Sequence, residues 1–306
     1  MSKPALIIEE GTAQKPSPLL KLLKLFLKIA ITVLCFWYIS KKIDFIQAKE
    51  AFLRSNWWWL CLAVILLIIS KIFSAFRLNI YFKNISLRLT QWQNLKLYWL
   101  GMFYNLFLPG SISGDGYKVI LLKRKFNSAY KKTSAAVLLD RFSGLSALGL
   151  ILAVYGMIVL KEPLYYLILI AGSVAAIVIL YLAIRFYFRD FIQGFWPTFF
   201  WGLAVQLTQV VCVYCILKSL GLPTDQPAWI FIFLLAAVVA VFPISLGGGL
   251  GTREFIFVEG ANYFHLDQHL AVVVSLLFYL STVIASLPGI YFVFHDPLQS
   301  DTEKAS

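Results

Sequence analysis

Apolar residues in this chain run in long blocks separated by short clusters of charge, without the alternation or narrow stripe of a protein that shields one face from water. Blocks of about the length needed to cross a bilayer, roughly 17 to 25 residues, fall at 19–40, 57–75, 95–110, 134–160, 164–188, 197–217, 227–246 and 270–294. Such blocks predict α-helices, because a segment in lipid must satisfy its own backbone hydrogen bonds. The expected fold is all-α: a polytopic integral membrane protein of about eight membrane segments, built as a single transmembrane domain over 19–295. Residues 1–18, with Glu9, Glu10 and three prolines, read as a disordered cytoplasmic tail. No small-residue cleavage site follows the first block, which is therefore expected to be an uncleaved anchor. Residues 296–306 read as a short C-terminal tail.

Two of the blocks end in related motifs, 134 residues apart. The first runs Pro109-Gly-Ser111-Ile-Ser113-Gly114-Asp115-Gly-Tyr-Lys118, and the second Pro243-Ile-Ser245-Leu-Gly247-Gly248-Gly249-Leu-Gly251-Thr-Arg253-Glu254. Aligned on their prolines they share P-x-S-x-[SG]-G. A helix breaker followed by a hydroxyl, glycines and charge is costly beside lipid unless it lines a protein cavity or water. The repetition predicts a duplicated membrane machine, with halves at about 19–160 and 164–295.

Charge decides how the motif-bearing blocks sit. The composition is 60% hydrophobic and 14% charged with a mean hydropathy of +0.79, and the net charge of +12 comes from lysines and arginines crowded at block ends. That placement suits membrane topology and anionic head groups, and it argues against nucleic acid as a partner. If all eight blocks cross with the N-terminus inside, 11 flanking Lys and Arg lie on the cytoplasmic side and 13 on the outer side, against the positive-inside rule. If the two motif-bearing blocks are re-entrant hairpins bent at Pro109 and Pro243, the split becomes 17 inside and 7 outside. The hairpin arrangement gives six spans plus two hairpins, with both termini cytoplasmic. Each half then holds three crossings, so the second half is inverted relative to the first, a recurrent transporter design.

Candidate chemistry clusters around the motifs. Asp115 and Lys118 close the first, and Asp140-Arg141 lies inside the following block, where a charged pair is a functional signal. Clustered glycine amides and the Arg253 fork, with Glu254 beside it, suit a phosphate or carboxylate oxygen. The competing reading of each is an ion pair or a tight turn. Asn105, four residues before Pro109, is placed to meet the backbone freed by the break. Gln206 and Gln209 suit interhelical hydrogen bonds. His265 and His269 have metal-pair spacing without a third ligand, and Cys212 and Cys215 read as small hydrophobes, so neither a metal nor another cofactor is expected. Neither a nucleotide phosphate loop nor a serine nucleophile elbow occurs, which argues against ATP-driven or serine-hydrolase chemistry within these residues.

Asn105 to Pro109, Gly114-Asp115 with Lys118, Asp140-Arg141 and the stretch from Phe242 through Arg253-Glu254 together resemble the transmembrane region of lysylphosphatidylglycerol synthases, the flippase-like domain family. Lys118 stands where that family usually has arginine, and Ser113 where glycine is common. The resemblance implies a multi-pass protein of the cell (inner) membrane that handles phospholipid or polyprenyl-linked lipid. In two-domain relatives a soluble domain transfers an aminoacyl group and the membrane domain is associated with moving the product. With 306 residues, this chain is expected to lack the transferase.

The leading expectation is a flippase or translocase-like transporter whose partners are membrane lipids, anionic phospholipid or polyprenyl phosphate. Arg253, Lys118 and Arg141 would engage the head group, with Asp115, Glu254 and Asp140 balancing them. The competing readings are a membrane-embedded enzyme or accessory subunit of a lipid-modifying or glycolipid synthase, and a scaffold serving a separate lipid synthase. Topology is directly testable. In the hairpin arrangement an impermeant thiol reagent applied from outside labels a Leu220→Cys protein and leaves Lys125→Cys unlabelled, and labelling of position 125 would exclude it.

Overall fold

The computed structural model describes residues 53, 55–107, 113–241 and 252–299. The helices are α1 (Trp57–Asn84), α2 (Gln91–Phe107), α3 (Ser113–Phe126), α4 (Tyr130–Val159), α5 (Pro163–Tyr187), a 3-10 turn at Arg189–Gly194, α6 (Phe195–Ser219), α7 (Ala228–Val241), α8 (Thr252–Tyr263), α9 (Gln268–Ser286) and α10 (Pro288–Phe294). Every expected block within the described residues is helical, and the block at 19–40 lies outside them. Five helices are long and apolar enough to cross a membrane among the described residues: α1, α4, α5, the 3-10 turn with α6, and α9 with α10. On α5 the exposed side chains include Leu167, Ile168, Val178, Ile179 and Phe186, an outward apolar face that suits lipid and not water.

Local sequence explains where these helices begin. Asn56 caps α1 by accepting from the Trp58 amide at 3.1 Å. At α2, Thr90 and Gln93 form a reciprocal capping box, each side chain accepting from the other's backbone amide at 3.1 Å. Pro163 opens α5, where a missing amide is harmless, and Asp267 caps α9 through the Leu270 amide at 3.0 Å.

The expected motif-bearing segments are helix pairs. Helices α2 and α3 pack on each other across residues 108–112, and α7 and α8 do the same across 242–251. Pro109, Pro243, Gly247, Gly248, Gly249 and Gly251 fall in these two stretches, outside the described residues. The most extensive packing joins α1 to α6. In addition α4 packs on α7, and reciprocally α9 packs on α2.

Two apolar clusters insulate a polar layer between them. Along α1, Leu67 belongs to one cluster and Leu78 to the other, with Lys71 and Arg77 between. The same order appears on α4, where Asp140, Arg141 and Gly144 fall between Leu139 and Leu148, and on α6, where Gln206 falls between Phe195 and Val210. The charged layer therefore lies midway along the helices.

The first helix pair depends on two glycines in contact. A Cβ on Gly114 would collide with the Gly101 carbonyl, so α3 lies directly against the α2 backbone. A Cβ on Gly116 would meet nothing within 4 Å. Gly114→Val should therefore lower stability in detergent by about 1–3 kcal/mol or more through overpacking, whereas Gly116→Ala should hold or raise it. Thermal unfolding followed by circular dichroism compares the two directly.

Candidate functional site

Two aspartates organise the polar layer. Asp140 on α4 receives a bidentate grip from Arg77 on α1, with Nε to Oδ1 at 2.7 Å and Nη2 to Oδ2 at 3.2 Å. Room for that guanidinium comes from Gly144, one turn beyond Asp140, where a Cβ would lie 2.7 Å from Arg77 Nη1. Both partners are buried, so each charge is stable there only through the other.

Asp115 opens α3 and gathers a second set. Its Oδ1 accepts from Lys118 Nζ at 3.0 Å and its Oδ2 accepts from Arg141 Nε. Asn105 Oδ1 accepts from the Gly114 amide at 2.8 Å, so the last turns of α2 cap the N-terminus of α3 across the break. Asn105 Nδ2 also reaches Asp115 Oδ1 at 3.5 Å. Lys118 is buried and lies 4.4 Å from the centre of the Tyr98 ring. One carboxylate thus ties α2, α3 and α4 together.

A third cation stands differently. Arg253 is the second residue of α8 and only 9% exposed, yet its Nε and Nη1 have no hydrogen-bond partner among the described residues. Its Cζ lies 5.0 Å from the Phe278 ring centre, a cation–π contact that supports the group without satisfying its donors. The neighbouring Glu254 accepts from Ser275 Oγ of α9 at 3.2 Å.

Arg253 opens onto a cavity of about 300 Å³ that Arg141, Asn105 and Lys71 also line. A second cavity of about 270 Å³ has Arg77 in its wall and shares Lys71, Tyr98, Arg141 and Gln206 with the first, so the two form one chamber. Gln206 donates to the Gly144 carbonyl at 3.4 Å and Gln209 to Ser70 Oγ at 3.5 Å, the interhelical bonds expected of them. Leu148, Phe233 and Val241 give the wall an apolar part, while Ser74, Thr282 and Ser286 add hydroxyls to it.

Of the residues singled out in the sequence, Arg141, Arg253 and Asn105 meet at the chamber. Asp115 holds Arg141 in place, and Lys118 lies behind it on the same carboxylate. Asp140 pairs with Arg77 and not with its sequence neighbour. Lys71 and Arg77 were not among the candidates. Their signal is a polar stripe of Ser70, Lys71, Ser74 and Arg77 on one side of α1, spaced three and four residues apart inside an apolar block.

Buried cations around a mid-helix chamber, in a bundle with apolar outer faces, define a multi-pass membrane protein with an internal polar site. The chain belongs to the family described as the lysylphosphatidylglycerol synthase TM region, which it matches over residues 25–289. No curated protein and no solved structure matches it.

The Arg77–Asp140 pair gives a stability prediction. Asp140→Asn leaves Arg77 buried and uncompensated, which should cost about 3–5 kcal/mol. The double variant Arg77→Met with Asp140→Leu should recover most of that loss in detergent melts, because no lone charge then remains.

Proposed function

We propose that the chain is a lipid translocase-like transporter whose central chamber takes the anionic phosphate head group of a membrane lipid while the acyl or prenyl chains stay in the bilayer. The observation that carries this is Arg253: a buried guanidinium with two nitrogens unpartnered among the described residues, facing a chamber that also holds Lys71 and Arg141. A cation with open donors in a cavity of this kind suits a phosphate oxygen. Crossing head groups need such a site, since a bare charge at the bilayer centre costs from about 3 kcal/mol upward.

In the architecture that goes with this reading, α2–α3 and α7–α8 are re-entrant hairpins. Helix α2 has 17 residues and α7 has 14, about 25 Å and 21 Å of helix, short of the roughly 30 Å hydrocarbon core. Arg77, Lys96, Lys118 and Arg253 are buried and so are not loop charges. Without them the hairpin arrangement still divides flanking Lys and Arg 14 inside to 6 outside, against 9 to 11 for eight full crossings. The pairing of α1 with α6, together with the reciprocal α4–α7 and α9–α2 contacts, is the pattern an inverted repeat produces. Rocking of the two halves around the chamber would expose it to one leaflet and then the other, in a cell membrane with both termini cytoplasmic.

Purified protein in liposomes, with leaflet exchange of labelled anionic lipids as the readout, tests the function. Arg253→Ala should lower exchange at least about tenfold, the effect of one charge-assisted contact, while melting as a folded protein. Wild-type exchange by folded Arg253→Ala would exclude the role.

A further inference from the structure

The charge balance of the chamber goes further than an anion site. Five cations belong to the polar layer: Lys71, Arg77, Lys118, Arg141 and Arg253. Three carboxylates stand with them, Asp140 on Arg77, Asp115 on both Lys118 and Arg141, and Glu254 beside Arg253. Among the described residues two positive charges are left without a match. The stretches 108–112 and 242–251 contain no ionisable side chain.

The surplus is localised. Asp115 already serves two cations, and Arg77 is held by Asp140 through Nε and Nη2. Lys71 lies midway along α1, lines both parts of the chamber, and has no carboxylate within ion-pair distance among the described residues. Arg253 has the two open donors already noted, and Arg77 Nη1 adds a third buried donor without a hydrogen-bond partner. Lys71 is therefore the ammonium between two guanidinium groups, Arg253 on the one side of the chamber and Arg77 on the other. A singly charged phosphodiester would leave one of the two surplus charges unmatched in a low-dielectric layer, whereas a phosphomonoester, with a second pKa near roughly 6, would match both.

Building on the head-group reading above, we propose that the chamber selects lipids whose head group is a dianionic phosphomonoester, and that Lys71 is the specificity-determining residue. The apolar wall of Leu148, Phe233 and Val241 favours a lipid over a water-soluble phosphate.

The test is binding at pH 7 by isothermal titration of the full chain in detergent. The probes are dioctanoyl phosphatidic acid, its diester analogue dioctanoyl phosphatidylmethanol, and glycerol 3-phosphate. Phosphatidic acid should bind at least about tenfold more tightly than the diester, since one added charge facing a cation in a partly buried site is worth that or more. Lys71→Gln should bring the two lipids to within about threefold, and Lys71→Arg, which keeps the charge, should retain the preference. Equal affinity of the wild type for both lipids would overturn the selectivity while leaving the head-group site standing. Loss of the preference in Lys71→Arg would overturn the role of the charge. Glycerol 3-phosphate binding as tightly as phosphatidic acid would overturn the lipid assignment, and folded protein that binds neither lipid would overturn the head-group reading as well.

Discussion

The arrangement of this bundle turns on the difficulty of keeping charge away from water. Lys71, Arg77, Asp140 and Arg141 lie between two apolar clusters along α1 and α4, and Asp115 and Lys118 are buried beside them, so bulk solvent does little to stabilise these charges. Coulomb attraction in such a medium is strong, but desolvation is stronger unless geometry is close and hydrogen bonds are complete. The bidentate Arg77–Asp140 grip meets that condition, and it fixes the register of α1 against α4. Asp115 meets it by accepting from Lys118 and Arg141 together, which fixes α3 against α4.

That electrostatic frame in turn supports the meeting of α2 and α3. The last carbonyls of one helix and the first amides of the next need partners, and lipid satisfies neither. Asn105 answers part of this by capping Gly114 across the gap, while Gly101 and Gly114 bring the two backbones into contact. Asp115 sits at the start of α3, where a carboxylate is favoured by the helix dipole as well as by its cations. Asn105, Gly114 and Asp115 therefore act as a unit: the start of α3 needs the cap, and the cap sits beside the carboxylate that orients Arg141.

Much of this was legible in the sequence because lipid imposes one rule on every residue of a span. The apolar blocks at 134–160 and 164–188 became α4 and α5 with ends displaced by only a few residues, since length and hydrophobicity largely set them. Asp115 and Arg253 were legible because a charge next to a proline–glycine motif is rare in such a setting, and Arg141 because a charged pair interrupts an apolar block. Partners were less legible. Asp140 and Arg141 are adjacent in sequence, yet neighbours on a helix point about 100° apart, so Asp140 finds Arg77 and Arg141 finds Asp115. Which distant residue fills that role depends on which helix packs opposite, and sequence spacing carries no record of it. Arg77 looked like a flanking charge because α1 extends nine residues past the expected end of its block, to Asn84. Lys71 was hidden by the very apolar run that makes its charge expensive.

The same aspartates that stabilise the fold also set how firmly the chamber can hold an anion. Five unopposed cations would bind a phosphate so tightly that release would become the slow step, and a site through which something passes must bind well enough to admit it and weakly enough to let it go. Asp140 and Asp115 hold Arg77, Lys118 and Arg141 in internal pairs, which leaves Lys71, the open nitrogens of Arg253 and one nitrogen of Arg77 to meet an anion among the described residues. A guanidinium resting on an aromatic ring and a half-buried ammonium are also the cheapest of the five to leave empty, because ring electrons partly offset the first and the chamber reaches the second. On the proposed reading, the internal carboxylates then belong to the transport chemistry, because they would set the surplus against the charge of one head group.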